Sequence, residues 1–121
     1  MTNLLGKAAE WLDEQRHRHL STSVWFERDG QRIGLAATVG RTRFESTDGY
    51  GRVTRSESRD FLVRAADLVL DGATVFPRPG DLIIEGGRRF EVMSPPGEPE
   101  WRWSDVNSLA LRIHTKETGE G

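Results

Sequence analysis

Apolar and polar residues alternate on both sides of the pair Asp29-Gly30. The alternating positions before the pair are Leu20, Thr22, Val24 and Phe26, and those after it are Ile33, Leu35, Ala37 and Val39. A period of two places these side chains on one face of a β-strand, and Asp-Gly favours the tight turn of a hairpin. The stretch therefore predicts two antiparallel strands, each buried on one face.

The next stretch, residues 41–60, is strand-like but polar on both faces. We call it the polar ribbon: a predicted third strand at Arg41–Thr47, a glycine-rich loop, and the start of a fourth strand that runs from Arg52 to about Val63. It contains five arginines and four acidic residues. A two-stranded ribbon that cannot fill a core projects from the body or packs on a partner, although a flexible, solvated hairpin fits the same pattern. The candidate contact residues for a neighbouring subunit or DNA are Arg41, Arg43, Tyr50, Arg52 and Arg55.

A second hairpin is encoded by FPRPGDLIIEGGRRFEVM, residues 76–93. Pro77 and Pro79 stiffen its entry, Gly80 permits a tight turn, and Asp81 can accept hydrogen bonds from backbone amides there. Strands are predicted at Asp81–Glu85 and at 88–93, around the turn Gly86-Gly87. The predicted core-facing side chains are Ile83, Phe90 and Val92.

The last predicted strand is SLALRIHT, with Leu109, Leu111 and Ile113 on one face and His114 exposed on the other. At the start of the chain, apolar residues at three- and four-residue spacing predict an amphipathic helix over about residues 3–16. Residues 117–121 are expected to form a disordered tail. The fold class is therefore mainly β: a single domain over residues 1–116, built as a small β-barrel or rolled antiparallel sheet of six or seven strands, with one N-terminal helix and a protruding polar hairpin.

Composition and motifs give no support for an enzyme. The chain of 121 residues has no cysteine, and its serines lie in no nucleophile-elbow pattern. No glycine pair follows a strand and opens a helix, as a phosphate-binding loop requires. We therefore predict no catalytic residue, no metal site and no cofactor.

Two binding functions remain open on the residues alone. SPPGEPEWRW predicts a rigid loop that a partner protein could contact, with Pro95, Pro96, Trp101, Arg102 and Trp103 as the candidate docking residues. The alternative is a small β-barrel that binds single-stranded nucleic acid, because exposed aromatic side chains and arginines are the groups that such barrels use. The net charge of -2 argues against this alternative.

The order of elements in residues 59–116 resembles the head-closure, or stopper, proteins of tailed bacteriophages. The segments that carry the resemblance are RDFLVRAADL, PRPGDLII, RRFEVM and LALRIHTK, with Pro77, Gly80, Asp81, Phe90 and Val92 at the positions of the family's turn and hairpin motif. The resemblance implies a non-enzymatic virion protein of the phage neck, made in the host cytoplasm with no membrane contact. It further implies a ring, of roughly six or twelve copies, below the portal and adaptor proteins. Such a ring closes the DNA channel and docks the tail, and the polar ribbon is the candidate for the closing loop. A tail-completion or tail-terminator protein of the same assembly is the related alternative.

Overall fold

The computed structural model describes residues 21–120. Within them the strands are β1 (Thr22–Arg28), β2 (Gln31–Thr47), β3 (Val53–Arg64), β4 (Val69–Leu70), β5 (Ala73–Thr74), β6 (Leu82–Glu85), β7 (Arg88–Val92), β8 (Trp101–Trp103) and β9 (Ala110–Glu120). A short 3-10 helix, Ala65–Asp67, connects β3 to β4. The helix predicted over residues 3–16 lies outside the described residues.

Seven strands form one antiparallel sheet in the order β3-β2-β1-β6-β7-β9-β8. Strand β3 also pairs with β9, so the strand pairings follow a closed cycle through β1, β2, β3, β9, β7 and β6. The short strands β4 and β5 pair with each other. The prediction of a mainly β chain with a six- or seven-stranded antiparallel sheet is therefore confirmed.

The core lies on the inner face of this cycle. Its fully or nearly buried side chains include Val24, Phe26, Leu35, Ala37, Phe61, Val63, Ile83, Phe90, Val92, Leu111 and Ile113. Alternate residues of each strand supply them, as the period of two predicts. Burial of each large apolar side chain contributes about 1.5–3 kcal/mol. The predicted core positions Ile83, Phe90 and Val92 are confirmed.

Strand β2 is one continuous element of 17 residues, so the prediction of a separate third strand at 41–47 is wrong. Its inward residues Leu35 and Ala37 are buried, whereas Val39, two residues further along the same face, is 36% exposed. The change occurs because β1 pairs only with residues 31–37, while β3 pairs with β2 from Ala37 to Thr47. Beyond residue 37 the strand continues past the end of its pairing with β1, and beyond residue 41 it leaves the closed cycle together with β3.

Strand β9 continues to Glu120, so the prediction of a disordered tail is wrong for residues 117–120. Strand β7 pairs with this segment, bringing Phe90 opposite Glu117. Arg88 and Glu117 also form an exposed ion pair at 2.7 Å. The polar sequence after residue 116 gives no sign of this partner, because the strand that stabilises it lies about thirty residues earlier.

Candidate assembly surfaces

The polar ribbon is held by its own two strands over most of its length. Residues 42–47 of β2 and 53–58 of β3 pair with each other and with no third strand among residues 21–120. Each of the two strands therefore has one outer edge whose backbone groups are unpaired in the sheet. Such edges are able to accept a further strand from another chain.

The two faces of the ribbon differ in chemistry. The charged face carries Arg41, Arg43, Glu45, Arg55 and Glu57, and the opposite face carries Thr42, Phe44, Ser46, Ser56 and Ser58. The register places Arg43 opposite Glu57 and Glu45 opposite Arg55, so unlike charges meet across the strands. A copy of the protein therefore presents a charged surface on one side of the ribbon and a largely uncharged one on the other.

The arginines of the charged face are engaged by neighbouring carboxylates. Glu57 lies 3.5 Å from Arg41 and 3.6 Å from Arg43, and Glu45 lies 3.2 Å from Arg55. These side chains are largely exposed, so each pair contributes only about 0–1 kcal/mol to stability. The main effect of the pairing is to offset the positive charge of these arginines.

The tip of the ribbon is a turn organised by one aspartate. Asp48 Oδ1 accepts hydrogen bonds from the backbone amides of Tyr50, at 2.8 Å, and Arg52, at 2.9 Å. The Tyr50 side chain is 94% exposed. The structure thus brings three of the predicted contact residues together on the charged face and places Tyr50 and Arg52 in the turn at the far end.

A buried polar network lies at the base of the ribbon, on the face opposite the charged one. Its centre is Asp60, which is fully buried and accepts hydrogen bonds from four side chains on three strands. The donors are Thr42 on β2, Ser58 on β3 at 2.6 Å, and Arg112 Nε and His114 Nδ1 on β9 at 2.7 and 2.8 Å. His114 is 1% exposed, so the prediction that it is exposed is wrong.

The protonation of Asp60 follows from these contacts. Burial by itself would raise the pKa of the Asp60 carboxyl, but the hydrogen bonds from Ser58, Thr42, His114 and Arg112 outweigh it and hold the pKa below its ordinary value. Ser58 Oγ and Asp60 Oδ1 both contact Nδ1 of His114, at 3.2 and 2.8 Å. In a catalytic triad the hydroxyl and the carboxylate contact opposite ring nitrogens. The network is therefore a structural cluster.

Acid is expected to weaken this network. Because the folded pKa of Asp60 is lowered, its contribution to stability is complete above the ordinary carboxyl pKa of about 3.9 and is lost as the pH falls through the lower folded value. Urea unfolding of the wild type and of Asp60→Asn at about pH 7 and about pH 3 measures the effect. The difference in unfolding free energy between them should shrink in acid. An equal difference at both pH values would contradict this assignment.

An open cavity of about 510 Å³ lies where the charged face meets the closed sheet. The Phe90 ring at its base is covered by two guanidinium groups, Arg59 at 4.9 Å and Arg88 at 5.3 Å from the ring centre. Arg59 is paired with Glu85, and Arg88 with Glu117. The cavity wall therefore carries ion pairs as well as the amino group of Lys116.

The predicted docking loop contributes an aromatic surface. Trp101 and Trp103 lie on the same face of β8, with ring centres 5.2 Å apart, and the Arg102 side chain is exposed. Phe76 stacks on Trp101 at 5.0 Å and is 44% exposed. Of the two prolines, Pro95 is buried and Pro96 is exposed. The sequence predicted the common orientation of the two tryptophans but missed Phe76, which lies 25 residues before Trp101.

Phe76 is held by the turn that the sequence singled out. Asp81 accepts a hydrogen bond from the backbone amide of Arg78 at 2.8 Å, as predicted, and two more from the Arg28 guanidinium at 2.6 and 2.9 Å. Arg28 also donates to the Phe76 carbonyl at 2.6 Å. The hydrogen bond to Asp81 raises the pKa of Arg28. This pair anchors the loop and its aromatic residue to the end of β1.

The described part of the chain has neither a grouped set of metal ligands nor a membrane-spanning helix. Among residues 21–120, no three His, Cys, Asp or Glu side chains are grouped so that they could hold a metal ion. Over the same residues, no helix has the length and apolar character needed to cross a membrane.

Comparison with known proteins identifies the family. No curated protein matches the chain. The family model for the phage head-tail joining protein matches residues 2–121. This match extends well beyond residues 59–116, on which the resemblance in sequence rested. The chain therefore belongs to the phage head-tail joining protein family, and it is a structural protein of the virion neck rather than an enzyme.

Proposed function

We propose that the protein forms a ring below the portal and adaptor proteins, where it closes the DNA channel and receives the tail. Family membership establishes the coarser role of joining head and tail proteins in the neck. The observation that carries the finer proposal is the polar ribbon, whose two strands extend beyond the closed cycle with an unpaired edge on each side.

Ring formation requires two different surfaces on each copy that fit one another. The outer edge of β2 and the outer edge of β3 are such a pair. Because β2 and β3 are antiparallel, the β3 edge of one copy can pair with the β2 edge of the next in the same antiparallel pattern around the ring. The predicted contact residues Arg41, Arg43 and Arg55 then lie on one surface of the ring of ribbons.

The charge of the ribbon suits a channel through which DNA passes. Residues 41–58 contain four arginines and three acidic residues, and the unlike charges are paired on one face. A strongly basic lining would bind phosphates tightly, whereas a nearly balanced one does not. We therefore place the charged face toward the DNA.

The aromatic surface supports a second contact at the other end of the molecule. Arg28, beside the turn that joins β1 to β2, contacts the Phe76 carbonyl, while the ribbon lies at the far end of β2. Phe76, Trp101 and Trp103 therefore face away from the ribbon tip. Aromatic side chains of this kind are the usual anchors of protein interfaces. We propose that this end contacts the neighbouring neck or tail protein.

Reconstitution on the head tests the ring. We expect the ring to assemble on the surface that the portal and adaptor present. The purified protein should therefore be added to DNA-filled heads that carry portal and adaptor but lack this protein. Negative-stain electron microscopy should then show an added ring below the adaptor and retention of the packaged DNA. Heads that acquire no ring, and whose tails join without the protein, would contradict the proposal.

The nucleic-acid-binding alternative predicts a different result. Because the charged-face arginines are paired and the net charge is -2, we expect binding of a single-stranded oligonucleotide to be weak, with a dissociation constant of about 10⁻⁴ M or above at physiological salt. Fluorescence polarisation with a labelled oligonucleotide measures this. Submicromolar affinity with a steep salt dependence would favour the nucleic-acid-binding function. A tail-completion role would instead be revealed by rings attached to tails purified without heads.

A further inference from the structure

We infer that Gly40 and Arg112, acting through Asp60, are positioning residues that fix the direction in which the polar ribbon projects. The inference rests on the proposed function, because it concerns the element proposed to form the ring. In this view, contacts at the base of the ribbon determine its direction before any other copy binds.

The first observation is the position of the Arg112 guanidinium. Its Nε donates to Asp60 Oδ2 at 2.7 Å, and its Nη2 donates to the Arg41 carbonyl at 3.2 Å. One side chain of β9 therefore joins β3 and β2, and it does so next to the point where β2 leaves the closed cycle. Strand β9 has no backbone pairing with β2. Within the described chain, this bridge ties the first ribbon residues to β9.

The second observation is the residue beneath that guanidinium. A Cβ atom at Gly40 would lie 3.1 Å from Arg112 Nη2, closer than ordinary van der Waals contact. The guanidinium is held by Asp60 on one side and by the Arg41 carbonyl on the other. A shift of the guanidinium by a few tenths of an ångström, away from a methyl group at residue 40, would strain these bonds, of which the one to the Arg41 carbonyl is already the longer. The absence of a side chain at residue 40 is therefore what lets Arg112 reach the backbone of β2.

The third observation is that the rest of the network also spans the base. Thr42 of β2 donates to Asp60, and the Phe44 ring makes an edge contact with the His114 ring of β9 at 5.5 Å between ring centres. Both residues lie on the ribbon face opposite the charged one. Three successive even-numbered positions of β2, from residue 40 to residue 44, thus contact groups that belong to β3 or β9.

These contacts matter because a two-stranded ribbon is marginally stable in water when nothing supports it. A ribbon free to swing would lose that freedom on assembly, and this entropy cost weakens association. A ribbon already held at its base avoids much of the cost. Gly40 and Arg112 thereby affect assembly through the direction of the ribbon rather than through a side chain that contacts another copy.

Hydrogen exchange tests the inference on the full chain. The variants are Gly40→Ala, Arg112→Ala and the double variant, with Ser46→Ala as the control, because Ser46 lies on the same ribbon face as Thr42 and Phe44 but outside the network. In both single variants the amides of residues 41–47 and 53–57 should exchange roughly tenfold faster or more, equivalent to about 1.4 kcal/mol of lost protection. Amides of β6 and β7 should be unchanged. The double variant should match Arg112→Ala, because the group that meets the new methyl is then absent.

The same variants are then added to DNA-filled heads that lack the protein. Loss of ring formation together with faster ribbon exchange supports the inference. Unchanged ribbon exchange in both single variants, or a double variant that shows the two effects added, overturns it. Faster ribbon exchange with normal ring formation would show that holding the ribbon at its base does not affect assembly. This result also overturns the inference. Failure of the wild-type protein to form a ring is a separate outcome, which counts against the proposed function itself.

Discussion

Asp60→Ala is expected to lower the free energy of unfolding by about 3–5 kcal/mol, because it removes the acceptor from a buried charge cluster. The Asp60 carboxylate is fully buried and accepts hydrogen bonds from side chains on β2, β3 and β9. Without it, the buried ring of His114 and the guanidinium of Arg112 lose their common acceptor. A single domain has about 5–15 kcal/mol of stability, so a loss of this size leaves it near the edge of unfolding at physiological temperature.

Chemical denaturation followed by tryptophan fluorescence measures this loss. The matched control is Glu57→Ala, because Glu57 lies three residues away on the same strand and contacts two arginines, but is exposed. We expect the control to lose about 0–1 kcal/mol. Similar losses for the two variants would show that burial of the carboxylate does not matter, and the account of the network would then be wrong.

Shortening of the ribbon is expected to abolish assembly while the closed sheet stays folded. Glu45 and Arg55 face each other, so residues 46–54 can be replaced by Asn-Gly, which forms a two-residue hairpin turn. The excised residues contact no core side chain, and we expect stability to change by no more than about 0.5 kcal/mol. Loss of the far strand edges and of Tyr50 should weaken binding to heads by about 100-fold or more, equivalent to about 2.7 kcal/mol.

Thermal unfolding and the head-binding assay together measure this result. Tyr50→Ser is the control, since it keeps the full ribbon and changes only the exposed side chain at its tip. A weaker effect of Tyr50→Ser than of the shortened ribbon assigns the contact to the strand edges. Global unfolding of the shortened protein would refute the view that the ribbon lies outside the core. Normal assembly of a folded shortened protein would refute its role as a contact.

The parts of the fold that the sequence predicted depend on local patterns. The alternation around Asp29-Gly30 and the turns at Gly80 and Gly86-Gly87 require only near neighbours to form, and their strands lie where expected. Asp81 accepts the predicted backbone hydrogen bond for the same reason, since Arg78 is three residues away. Local chemistry was sufficient for these elements.

The parts that the sequence did not predict depend on partners that are distant along the chain. His114 alternates with Leu111 and Ile113 as an exposed residue would, yet its acceptor Asp60 is 54 residues earlier and both are buried. A polar residue at an outward position is read as exposed unless its partner is known. The predicted start of a separate strand at Arg41 was also wrong. Strand β2 continues through Gly40, whose missing side chain makes room for Arg112.

For the candidate contact residues too, local patterns predicted some features correctly, whereas contacts between strands could not be predicted. Period two correctly placed Trp101 and Trp103 on one face. To predict that the arginines pair with Glu45 and Glu57, the register of β2 against β3 must be known. The ribbon sequence alone does not specify this register, because both of its faces are polar. The polar pattern therefore predicted a ribbon outside the core but not the ion pairs that its arginines form.

Cryo-electron microscopy of the neck of the assembled phage would show where the protein lies and how its ribbons are arranged. We predict a single ring of this protein between the adaptor and the tail, with the ribbons pointing toward the channel axis and β2 of each copy lying beside β3 of the next. A ring whose ribbons point outward, away from the DNA and from one another, would contradict it.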